Sequence, residues 1–65
     1  MSLPIKYRVF VQRKDDIHEV EFVSYMGEDA ARRRALVRIG VWFEDFDTEM
    51  EVVDIQSELY FSGRP

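Results

Sequence analysis

The sequence contains no cysteine, a single histidine, two prolines and three glycines. Without cysteine there are no disulfides, and one histidine alone cannot complete a zinc site built from nitrogen and sulfur ligands. A chain of 65 residues therefore lacks the two staples by which small domains often make up for a small core. Good packing or self-association must do that work. Gly27, Gly40 and Gly63 are too far apart to form a phosphate-cradling loop. No run approaches the roughly 18 apolar residues of a membrane-spanning helix. Residues 1–5 show no basic stretch leading into an apolar one, so no secretory signal is expected. The expected compartment is the cytoplasm. No cofactor and no small-molecule substrate is suggested.

What is present argues for an ordered fold. The hydrophobic share is 46% and the aromatic share 14%, both too high for a disordered chain. The length allows one domain, 1–65, with 61–65 expected as a loose tail. The net charge of −4 is unevenly spread. Lys6, Arg8, Arg13 and Lys14 come early, and Arg32, Arg33, Arg34 and Arg38 form a second basic group. Glu44, Asp45, Asp47, Glu49, Glu51, Asp54 and Glu58 then follow with no Lys or Arg between them.

Residues 5–12 alternate, with Ile5, Tyr7, Val9 and Val11 on one face and Lys6, Arg8, Phe10 and Gln12 on the other. Such period-two alternation of β-branched and aromatic residues predicts a half-buried strand. Residues 17–25 repeat the pattern, and Lys14-Asp15-Asp16 between them predicts the tip of an antiparallel hairpin. Glu28 and Asp29 suit the positive end of a helix dipole. Ser24 is a candidate cap for that helix, though placed early. Ala31, Ala35, Ile39, Trp42 and Phe46 recur at spacings of three and four, which predicts a helix over 28–45 with Trp42 and Phe46 in the core. The competing possibility ends the helix at Gly40 as a left-handed cap. Residues 51–60 alternate again, with Val53, Ile55, Ser57 and Leu59 on one face and Val52, Asp54, Gln56, Glu58 and Tyr60 on the other. The expected fold is α+β, in the order β-β-α-β: a three-stranded sheet with one helix packed on one face. Right-handed crossover places the last strand parallel to the first.

Little in the sequence announces catalysis. His18 has no second histidine or cysteine to complete a triad or metal set, and reads as a strand residue near a turn. Asp45, Asp47, Glu49 and Glu51 resemble a calcium loop only in their alternation. Counted from Asp45, the sixth position is Met50 rather than glycine and the twelfth is Gln56 rather than glutamate. Neither catalytic nor metal-ligating residues are assigned, and the chain is not expected to be an enzyme.

Two kinds of surface remain. Lys6 and Arg8, beside Tyr7 and Phe10, together with Arg32, Arg33, Arg34 and Arg38, form a candidate nucleic-acid contact. The acidic tract counts against it. The stronger signal is surplus apolar surface: one helix covers one face of one sheet, leaving Val37 and Val41 behind the helix and Phe10 and Tyr25 off the core face. These four residues are the candidate protein-binding set. The expected function is a non-enzymatic protein-interaction module that pairs with itself as a homodimer or with another protein. Size and charge alone suggest an accessory or inhibitory protein of a mobile element.

Overall fold

Alternating residues on both sides of a polar pair form the hairpin that the sequence predicts. In the computed structural model, which describes residues 3–60, β1 (Ile5–Arg13) pairs antiparallel with β2 (Asp16–Ser24). The turn is two residues long, and Lys14 takes a left-handed φ of 57° within it. A helix, α1 (Glu28–Phe43), follows, then β3 (Met50–Leu59). The fold is α+β in the order β-β-α-β, with sheet order β2-β1-β3. No helix among the described residues is long and apolar enough to cross a membrane. The tail expected at 61–65 lies outside the described residues.

β3 runs antiparallel to β1, not parallel as expected. The crossover rule applies to the two strands that the helix joins, and these are β2 and β3, with β1 lying between them. The chain leaves α1 near the hairpin tip, where Asp45 binds Arg13 at the end of β1. β3 therefore starts opposite Arg13, at Met50, and returns toward Ile5.

The two faces of β3 also differ from strict alternation. Phe10 pairs with Asp54 but Val11 pairs with Val52, so Val53 is an extra residue in a bulge. The bulge brings Val52 to the same side as Ile55, and both pack against the core, while Val53 is exposed. Alternation alone had placed Val52 with Asp54 and Val53 with Ile55.

The core joins Tyr7, Val9, Val11, Val20 and Phe22 of the sheet to Ala31, Ala35 and Ile39 of the helix. Small alanines let the helix approach closely, and Val9 and Val11 are fully buried beneath it. Tyr7 reaches past the core to donate its hydroxyl to the carbonyl of Met26, 3.1 Å away. Ser24 does not cap the helix. Its Oγ accepts from the Met26 N–H at 3.0 Å and shapes the turn before Gly27, which occupies the cap position.

Trp42 and Phe46 are not core residues, which corrects the stripe read from the sequence. The buried row steps by four, through Ala31, Ala35 and Ile39, and drifts about 40° around the helix at each step. Trp42 lies on the trailing side of that drift and is 78% exposed. The helix does pass through Gly40 as expected, but it stops at Phe43 rather than Asp45. Glu44 turns left-handed at φ 53°, its N–H donates to the Val41 carbonyl, and the Asp45 N–H donates to the Gly40 carbonyl. This is the paired 5→2 and 6→1 closure of a Schellman motif. Phe46 lies beyond it and lays its ring across Gly40, where a Cβ would collide with that ring.

Candidate protein-binding surface

The helix shows which side of the molecule lacks a covering. Val37 and Val41 are one turn apart on the outward side of α1 and are 55% and 60% exposed. Trp42, one turn beyond Arg38, instead borders a groove beside β2. The four candidate binding residues do not form one patch. Val37 and Val41 lie together, Phe10 is half-buried in the middle of the helix-free sheet face, and Tyr25 is exposed in the connection after β2. Trp42 borders the groove beside β2 rather than joining the valines, and the sequence analysis missed it as a surface residue because its spacing also fits a core stripe.

The arginines of the helix are mostly engaged. Arg32 bonds Glu28 at 2.8 Å, an i,i+4 pair on the surface. Arg34 and Arg38 lie over the Phe22 ring, 4.5 and 5.9 Å from its centroid. That contact draws them onto the β2 flank and leaves Val37 and Val41 on the outward strip. Lys6 and Arg8 are likewise engaged. Arg8 bonds Glu21 and Glu19, each at 2.9 Å, and Lys6 lies 3.8 Å from Glu21. The hydrogen bond to Arg8, then the charge of Lys6, holds the Glu21 carboxyl below its usual value. In return Glu21, then Glu19, raises the Arg8 guanidinium. The structure thus separates the six candidate nucleic-acid residues into two groups on opposite faces of the sheet.

The helix-free face is acidic at its margins. Lys6 and Arg8 on β1 are flanked by Glu19 and Glu21 on β2 and by Glu51, Asp54 and Glu58 on β3. A shallow polar depression of about 170 Å³ lies among Lys6, Arg8, Glu21, Gln56, Ser57 and Glu58. A larger groove, about 350 Å³, runs between β2 and the last turns of α1. His18, Glu19, Val20 and Glu21 form one side, and Arg38, Ile39 and Trp42 the other.

The hairpin end is locked by a pair that no sequence pattern announced. Asp45 accepts from Arg13 at 2.8 Å, from the Thr48 hydroxyl, and from the N–H groups of Asp47 and Thr48. Those bonds, that from the Thr48 hydroxyl foremost, hold the Asp45 carboxyl far below the usual carboxylate range. Arg13 also stacks 4.1 Å over the Phe43 ring, and its buried Nε has no hydrogen-bond partner among the described residues. His18 meets the edge of the same ring, 5.0 Å between centroids, a packing contact rather than an acid–base pair. Among the described residues, no three His, Cys, Asp or Glu side chains are grouped to hold a metal ion. Searches against family models, curated proteins and solved structures found no match to this chain.

Proposed function

We propose that the chain is a non-enzymatic protein-binding module that self-associates through the outward side of α1. The carrying observation is the exposed pair Val37 and Val41, one turn apart on the outward side of a single helix and 55% and 60% exposed. Lone exposed apolar side chains are ordinary. Two adjacent ones that no element among the described residues covers mark a candidate association surface. A second copy is the simplest partner, because a two-fold contact sets the apolar strip against itself. Arg34 and Arg38 do not oppose such a contact, since both lie on the Phe22 flank. A cysteine-free chain needs no oxidising compartment, which fits the cytoplasm.

The nucleic-acid alternative receives less support, since Lys6, Arg8 and Arg32 are already paired with carboxylates. The test is mass by sedimentation across a dilution series. The parent chain should move from monomer to dimer as its concentration rises. Val37→Glu or Val41→Glu should remain monomeric at every concentration, with an unchanged circular dichroism spectrum. A parent that is monomeric throughout removes self-association from the reading.

A further inference from the structure

We infer that the free edge of β2, beside Trp42, docks an extended segment of another protein, one that presents basic side chains to the helix-free face and apolar ones to the helix. This deepens the protein-binding reading and rests on it. The sheet has two edges, and they are not alike. β3 is broken by the bulge at Val53, and the Asp54 carboxylate takes the N–H of Ile55. Bulges of this kind blunt an edge against strand addition. β2 pairs with β1 through nine consecutive residue pairs with no shift, and it contains no proline, lysine or arginine. Its outer N–H and C=O groups form a ready template for another strand.

The groove beside that edge supplies selectivity. A strand added to β2 continues its alternation, so every second side chain faces the helix. There Val20 and Ile39 line the groove, with Trp42 beside them. The remaining side chains fall next to Glu19 and Glu21, on a face with two cations against five carboxylates. Basic residues fit that row. A second copy of β2 fits it less well in the registers centred on 19, 20 or 21. Antiparallel self-pairing centred on residue 20 sets Glu19 opposite Glu21, and centring on 19 or 21 sets a glutamate opposite itself. Directly opposed like charges destabilise a strand pair.

The test is an amide chemical-shift titration of the full chain with a peptide of about nine residues, the length of β2, alternating valine or phenylalanine with lysine. Expected are shifts centred on residues 17–23 and on the Trp42 indole N–H. An N-methylated form, which cannot complete a ladder, should not bind. A form with glutamate in place of lysine should bind about tenfold more weakly, a difference of about 1.4 kcal/mol. The double variant Glu19→Lys, Glu21→Lys should reverse that preference, and Trp42→Ala should weaken the lysine peptide by about tenfold. Equal binding of the methylated and unmethylated peptides, or shifts centred on 51–58, means general attraction to acidic residues and overturns the inference. No binding at millimolar peptide overturns it too. The dilution series with Val37→Glu and Val41→Glu, residues outside the groove, then decides separately whether the self-association reading survives.

Discussion

Replacing Gly40 by alanine tests the end of the helix, because two opposing effects meet at one atom. Glycine inside a helix costs about 1 kcal/mol relative to alanine. Here a Cβ would strike the ring of Phe46, so that gain requires the ring to leave. Phe46 is 63% exposed, leaving about a third of its surface covered. Full burial of a phenylalanine stabilises by roughly 1.5–3 kcal/mol, so its present seat contributes about 0.5–1 kcal/mol. Gly40→Ala alone should therefore change stability by less than about 0.5 kcal/mol, the two terms nearly cancelling. Phe46→Ala alone should cost about 0.5–1 kcal/mol. With the ring already removed, Gly40→Ala should stabilise by about 1 kcal/mol, or about 4–8 °C in Tm for a chain of this size. The assay is thermal and urea unfolding of all four proteins by far-ultraviolet circular dichroism. Trp42 fluorescence is a poor probe, because that side chain is already in water. The coupling between the two sites is the deciding quantity. If Gly40→Ala stabilises equally in both backgrounds, the ring does not rest on Gly40 and the packing described for the helix end is wrong.

Other outcomes follow from the same structure. Glu44 holds a left-handed conformation that suits glycine, and its charge lies at the negative end of the helix, so Glu44→Gly should raise stability by about 1 kcal/mol in urea unfolding. Trp42→Ala should cost less than about 1 kcal/mol, well below the 3–5 kcal/mol of a buried tryptophan, and a larger loss would return Trp42 to the core. Asp45 is depressed in the folded state, so below its unfolded value of about 3.9 the unfolded chain binds more protons. Stability from this group is thus complete at neutral pH and is lost as pH falls below about 4. Asp45→Asn should lower stability at pH 7 and flatten the acid limb of a pH series of melts, whereas an unchanged limb would show that the lock to Arg13 and Thr48 contributes nothing.

Periodicity is local, and what depends on it was legible before the fold was known. The alternation of 5–12 and 17–25 around Lys14 and Asp15 determined the hairpin, because a strand with one buried face must alternate. The four-residue spacing of Ala31, Ala35 and Ile39 determined the helix and its buried row. The surplus of Val37 and Val41 was equally plain, since no second element among the described residues covers them. Tertiary structure decided the rest. The direction of β3 depends on where the helix delivers the chain, and Arg13 and Asp45, 32 residues apart, set that point. The bulge at Val53 depends on fitting Val52 and Ile55 under one helix, which no alternation within β3 reveals. Trp42 sits on a stripe by count, yet it emerges beside β2 because the buried row drifts as the helix crosses the sheet. The fate of the arginines was hidden for the same reason. A cation beside an acid or over a ring is silent in sequence when its partner, Glu21 for Arg8 or Phe22 for Arg34, lies on another element. Local pattern determines which elements form, whereas their mutual placement rests on contacts between residues distant in the chain.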